Sequence, residues 1–226
     1  MTTIYLIRHG TTDANVSGRF QGRSDFPLNK TGLCQGECLA ARFSGTALDR
    51  VYTSPLSRAR ETARFIGRAA GLVPQSLEDL TEVDGGLLEG RSRAENLRDY
   101  PAVMESMYHA PGRFAAPGGE NMPALQRRIC DAMERLVSAN PGRTLAVVSH
   151  GFVMLAYLHF LMGTPADEMK GFLVGNASVT TIFYSDSVRG EIRELGDESH
   201  LPPELRFRRA AGFSEESASQ RPLPIG

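Results

Sequence analysis

The sequence predicts a three-layer α/β fold: a mostly parallel sheet with helices on both faces. Three observations point to it. Short β-branched or apolar runs alternate with helical periods, the residues best suited to chemistry follow directly on those runs, and 41% of the 226 residues are hydrophobic, enough for one full core.

The first run, Thr3 to Ile7, stops at Arg8-His9-Gly10 and reads as a strand handing its last residues to a loop. Thr31 to Phe43 carries apolar residues at 33, 39, 40 and 43 and predicts a helix closed by Ser44-Gly45. Arg50 to Thr53 is a second short strand. Ser54 then reads as a helix cap and Pro55 as the first helical residue, with Leu56, Ala59, Ala63, Ile66 and Ala70 forming one apolar stripe and Gly71 the stop. Pro74 to Leu80 predicts a third strand and Thr81 to Arg91 a Gly-rich loop. Between Ser92 and Gly119, helical pieces interrupted at Pro101, Pro111 and Pro117 indicate an inserted cover.

Leu125, Ile129, Met133 and Leu136 mark a long amphipathic helix ended at Asn140-Pro141-Gly142. Thr144 to Ser149 is a buried strand pattern, and His150-Gly151 opens an apolar helix to about Met162. Ser178 to Tyr184 and Glu191 to Leu195 read as a terminal strand pair around Ser187-Val188-Arg189-Gly190. The expected division is a catalytic domain over residues 1–196, with the cover at about 92–119, and a tail over 197–226 rich in Pro, Ser and charge.

Twenty-five basic against 26 acidic residues leave a formal net charge of -1, so no global field draws the chain to nucleic acid or an anionic membrane. The longest apolar run, Val153 to Met162, is too short to span a bilayer. The N-terminal MTTIYLIRHG shows neither a basic n-region nor an apolar h-region, and Cys34, Cys38 and Cys130 are odd in number; a reducing cytoplasm is expected. Cys34 and Cys38 share a helix face, but with no His or second Cys pair nearby they read as packed thiols rather than a metal site.

In an open parallel sheet, ligands bind at the carboxyl ends of the strands. Arg8-His9-Gly10, Arg58, Glu82 and His150 all follow strands in this way. Two arginines, two histidines and a carboxyl group match what phosphoryl transfer requires. Arg8 and Arg58 can hold the non-bridging oxygens with planar forks, and His9 can attack phosphorus as a neutral imidazole. The arginines should lower the His9 pKa. Gly10 lets the backbone pass close to the phosphate, and the helix start at Gly151 offers N–H groups to an anion. His150, protonated, would be a further clamp. Glu82 is the proton donor to the leaving group and then the base for water, with Glu78 and Asp84 as alternatives.

The segment Leu6-Ile7-Arg8-His9-Gly10-Thr11-Thr12 resembles the signature of the histidine phosphatase superfamily, named also after cofactor-dependent phosphoglycerate mutase. NVSGRFQGRSDFPL from Asn15, TSPLSRARET from Thr53, Gly118-Gly119-Glu120, VSHG from Val148 and Asn176-Ala177-Ser178 are similar to further family segments. The resemblance implies a phosphoglycerate mutase-like fold, His9 as nucleophile, Arg8, Arg58 and His150 as the phosphate pocket, and Glu82 as proton donor. It adds Asn15 and Gln21 as polar contacts to substrate or phosphate. The run Val83-Asp84-Gly85-Gly86-Leu87-Leu88-Glu89-Gly90 departs from the family, which often has an aromatic residue and a Trp there.

The expected activity is hydrolysis of a small phosphomonoester through a phosphohistidine, with no cofactor and no metal. Alternatives are phosphoglycerate mutase activity, a non-catalytic phosphate-binding module, or a phosphotyrosine-bearing protein as target. Glycolytic mutase relatives carry a longer, more basic stretch where Ser92 to Gly119 is short and poor in lysine, which favours hydrolysis. Arg91, Arg93 and Arg113 are candidates for reading a second negative charge. His109, His159 and His200 are assigned to cover, core edge and tail, and a homodimer remains open.

Overall fold

The computed structural model describes residues 1–165, 168–170, 174–185 and 190–206. Six strands form one sheet in the order β3-β2-β4-β1-β5-β6: β1 (Thr2–Arg8), β2 (Arg50–Thr53), β3 (Gln75–Ser76), β4 (Thr144–Ser149), β5 (Val179–Tyr184) and β6 (Glu191–Asp197). β3, β2, β4 and β1 are mutually parallel, while β5 runs against both β1 and β6. The mostly parallel sheet expected from the sequence is therefore present.

Strand alternation builds a separate core on each face. Ile4 and Leu6 of β1 and Leu145 and Val147 of β4 pack toward helices α6 (Met122–Ala139) and α7 (Gly151–Met162). Ile7, Ala146 and Val148 point the other way, onto α2 (Lys30–Phe43) and α3 (Ser57–Ala70), where Leu39, Phe43, Ala59, Ala63 and Ile66 are buried. A five-residue helix, α1 (Asp13–Ser17), follows the first strand end. The 92–119 stretch forms α4 (Arg93–Asp99) and α5 (Pro101–His109), and it sends Met104, Phe114 and Ala116 into the same core as α6 and α7.

Three expectations need correction. The strand foreseen over Pro74 to Leu80 is two residues long, because this exposed edge strand has one neighbour, and the chain then curls through a 3-10 turn at Glu78–Leu80 that buries Leu80. Helix α3 does not start on Ser54-Pro55 but two residues later, with Leu56 at its cap and no side-chain cap of its own. Instead Asp25, from a distant loop, accepts the Ser57 N–H at 2.7 Å. The last strand runs to Asp197 rather than Leu195. The foreseen turn at Ser187-Val188-Arg189 and the tail beyond Arg206 lie outside the described residues.

Candidate active site

Register brings the two key histidines together. β1 and β4 pair in parallel up to Arg8 against Ser149, so His9 and His150 are the next residues of each strand, and the His9 N–H continues the ladder to the Ser149 carbonyl at 3.0 Å. Their ring centroids are 5.1 Å apart. β2 ends beside β4, with the Ser54 N–H on the Val148 carbonyl at 3.0 Å, which carries Arg58 in the first turn of α3 to the same edge.

His9 is 2% exposed and its Nδ1 lies 2.7 Å from the Gly10 carbonyl oxygen. A carbonyl only accepts, so Nδ1 carries the proton and Nε2 keeps its lone pair. Burial, then Arg58, then Arg8 hold the His9 pKa well below the ordinary 6.5. The arginines act as expected, but desolvation is the larger cause.

Arg58 is 1% exposed and its two terminal nitrogens donate to the Ser24 carbonyl at 2.9 Å and the Gly22 carbonyl at 2.7 Å. Arg58 Nε and both ring nitrogens of His150 are sealed from solvent without a hydrogen-bond partner among the described residues. Leaving such groups unmatched is costly. Arg58 and His150 are near enough to act on each other electrostatically, and an oxyanion is the kind of group that would satisfy both. Half-buried Arg8 donates from Nη1 to the Val174 carbonyl at 2.6 Å. Glu82 is the carboxyl group that acts most strongly on both guanidiniums, with Glu198 also acting on Arg8 and Asp25 and Glu89 on Arg58. Protonation of His150, the condition for its acting as a further clamp, is opposed in the ligand-free protein: burial, Arg58, His9 and Arg8 all hold its pKa well below 6.5.

Glu82 occupies a place the sequence does not indicate. Its carboxylate caps the start of α7, with Oε2 accepting from Phe152 N–H at 3.2 Å and Oε1 from Val153 N–H at 3.3 Å and Val83 N–H at 2.9 Å. Two N–H groups expected to serve an anion after Gly151 are thus already engaged. Burial nevertheless raises the Glu82 pKa above 4.5, outweighing those N–H groups and the pull of Arg58 and Arg8. Of the alternative acids, Glu78 is exposed and Asp84 accepts from Gly86 N–H at 3.0 Å beside Arg23.

Asn15 and Gln21 are brought to the same loop, each offering its side-chain oxygen to the Thr12 hydroxyl, at 3.1 and 3.0 Å. Thr12 and Asn15 together cap α1. Gly10 is required sterically: a Cβ there would lie 2.9 Å from the Gly32 carbonyl oxygen of α2. Gly151 is not, since its Cβ would meet Arg8 Cζ at an ordinary 3.5 Å. Arg91 pairs with Asp99 and Arg93 lies over the Tyr108 ring at 4.8 Å, so neither is held in reserve for a second charge; Arg113 is exposed.

Two positioning residues escape sequence reasoning. Asn176 Nδ2 donates to the His9 carbonyl at 3.0 Å, and the following Ala177, at φ 60°, donates its N–H to the Arg8 carbonyl at 3.0 Å. Gln35 Oε1 accepts the Thr11 N–H at 2.8 Å. Gln35 carried a usable signal, a polar residue on the buried face of α2 between Gly32 and Leu39; Asn176 carried none beyond its motif. His200, assigned to the tail, donates from Nε2 to the Ala177 carbonyl at 3.1 Å and so braces this same loop.

Among the described residues, no group of three His, Cys, Asp or Glu side chains is gathered where a metal could sit, and no helix is long and apolar enough to cross a membrane. Cys34, Cys38 and Cys130 form no disulfide among the described residues.

A family model for the histidine phosphatase superfamily (branch 1) matches residues 4–198. The chain is 31% identical over 205 residues to a probable phosphoglycerate mutase GpmB of Yersinia pestis, covering 89% of this chain and 95% of that one. Among solved structures it is similar to Bacillus stearothermophilus YhfR, with a TM-score of 0.84, 31% identity, and coverage of 88% of this chain and 99% of that chain. A mutant phosphoserine phosphatase from Entamoeba histolytica in complex with phosphoserine aligns with a TM-score of 0.78 at 26% identity, covering 89% of this chain and all (100%) of that one.

Proposed function

The chain belongs to the histidine phosphatase superfamily, and we propose from that premise that it hydrolyses a small phosphomonoester through a phosphohistidine on His9. The observation that carries this reading is the His9 tautomer. With Nδ1–H bound to the Gly10 carbonyl, the lone pair on Nε2 belongs to the ring nitrogen that can form a bond to phosphorus.

The phosphate's non-bridging oxygens take the remaining N–H groups of Arg58, those of Arg8, and His150, whose pKa the arriving dianion raises. Nε2 attacks in line, the ester P–O bond breaks, and the leaving alkoxide receives the proton of the Glu82 carboxyl. Water then attacks phosphorus, the P–N bond breaks, and the Glu82 carboxylate takes the water's proton as inorganic phosphate departs. The raised Glu82 pKa supports its starting the cycle protonated. No metal or organic cofactor enters this scheme.

The similarity to a phosphoserine phosphatase supports a small, charged phosphomonoester as substrate, and the short 92–119 stretch supports water as acceptor. The test is turnover of a phosphomonoester panel, including phosphoserine and 3-phosphoglycerate with and without its bisphosphate, by the native protein and His9→Ala. Phosphate release by the native protein alone is expected. Full activity in His9→Ala would overturn the nucleophile, and fast phosphoglycerate isomerisation without phosphate release would replace hydrolase by mutase.

A further inference from the structure

One arginine outside the phosphate-binding group is saturated in an unusual way. Arg128, on α6, makes five guanidinium hydrogen bonds, three to the backbone of residues 79–82 and two to the Glu120 carboxylate. Nη1 donates to the Asp79 and Thr81 carbonyls at 2.8 and 2.7 Å, and Nη2 to the Glu82 carbonyl at 3.3 Å. Nε and Nη2 close a fork on the Glu120 carboxylate at 3.0 and 2.8 Å. Glu120 holds the other flank: its Oε2 accepts the Asp84 N–H at 3.3 Å, and its own N–H donates to the Asp84 carbonyl at 2.8 Å.

Burial of Leu80 and Val83 and the N–H groups on the Glu82 carboxylate anchor the side chains of this segment, while past Leu80 its backbone has no regular secondary structure to hold it. Residues 81–85 form neither helix nor strand, and the preceding edge strand β3 pairs over only two residues. Yet Glu82 must keep its carboxyl at the start of α7 and beside the phosphate site. A planar fork with one face of carbonyl acceptors and one carboxylate does what a rotatable ammonium cannot. Both side chains are largely buried, at 16% and 12% exposure, so the pair is held rather than solvated.

We propose that the Arg128–Glu120 pair is the positioning device for the proton donor, clamping residues 79–84 so that Glu82 meets the leaving-group oxygen. The proposal rests on the hydrolase reading above. Arg128 and Glu120 touch no reacting atom; they act through Glu82. Loss of the clamp therefore penalises the step in which Glu82 gives its proton and spares esters whose leaving group departs unprotonated.

The experiment measures kcat/KM, which reports P–O cleavage, for an alkyl phosphate and for 4-nitrophenyl phosphate. The proteins are the native enzyme, Arg128→Lys, which keeps the charge, and Glu120→Gln, which keeps the shape, each checked by circular dichroism. The expected result is that each variant loses roughly tenfold or more on the alkyl ester relative to its loss on the nitrophenyl ester, a fraction of the full general-acid contribution. Equal losses on both esters in the folded variants would overturn the clamp and leave the pair a fold element. Absence of turnover of either ester by the native enzyme would instead overturn the hydrolase reading, and the clamp with it.

Discussion

His9 and His150 lie with ring centroids 5.1 Å apart and planes inclined by 56°, each the first residue past a strand in the central parallel pair. Burial and the two guanidiniums oppose a further cation on either ring and hold both pKa values well below 6.5 in the ligand-free protein. The dependence of both activity and stability on pH follows from this.

For activity, His9 stays a competent nucleophile well below pH 6.5, whereas Glu82 must be protonated to serve as acid and its pKa is raised from 4.5. The profile of kcat/KM for alkyl esters should therefore fall as pH rises through the Glu82 pKa, and this alkaline limb should vanish in Glu82→Gln with a loss of roughly 10²–10³-fold in rate. A limb that survives in Glu82→Gln would assign the titration to another group.

For stability, the sign differs between the two types of group. His9, His150, His159 and His200 all have folded pKa values below 6.5, so the unfolded chain binds more protons and stability is lost as pH falls from about 6.5 toward the folded values. Glu82 acts oppositely, losing stability as pH rises from 4.5 through its raised value. Thermal melts of the ligand-free protein should show Tm falling below about pH 6.5, less steeply in His150→Asn. Inorganic phosphate should offset the fall by supplying the counter-charge.

Arg58→Lys should cost roughly a hundredfold in kcat/KM. A lysine cannot hold both the Gly22 and Ser24 carbonyls while meeting an oxyanion. Steady-state kinetics with one ester, together with phosphate affinity by calorimetry, checks this; unchanged phosphate affinity would remove Arg58 from the site.

Asn176→Ala removes the side-chain donor to the His9 carbonyl, which keeps the Ala177 N–H at 3.2 Å. Urea denaturation should show a loss of about 0.5–1.5 kcal/mol, accompanied by slower turnover as the loop bearing His9 loosens. Gly10→Ala should cost about 1–3 kcal/mol, because its Cβ meets the backbone of α2 rather than a movable side chain.

Much of the architecture is legible locally. The β-branched and aromatic run Thr3 to Ile7 and the 3.6-residue stripe of Ala59, Ala63 and Ile66 specify strand and helix from neighbours alone; Ile4 and Leu6 are buried on one face of the sheet, and Ile7 on the other with the helical stripe. The short β3 and the late start of α3 were not legible, since an edge strand's length depends on its single partner and the donor at Ser57 is satisfied by Asp25, 32 positions away.

The sequence by itself determined the fold class, the strand-end positions of Arg8, His9, Arg58 and His150, and the kind of chemistry those residue types permit. Only the tertiary structure decided that Glu82 caps α7 across 70 positions, that Asn176 supports His9 across 167, and that Gln35 ties the Thr11 loop to Leu205 across 170. The reason is physical. Periodicity records how each residue relates to its own element, whereas a hydrogen bond between elements depends on register and packing, which no local stretch of the chain contains.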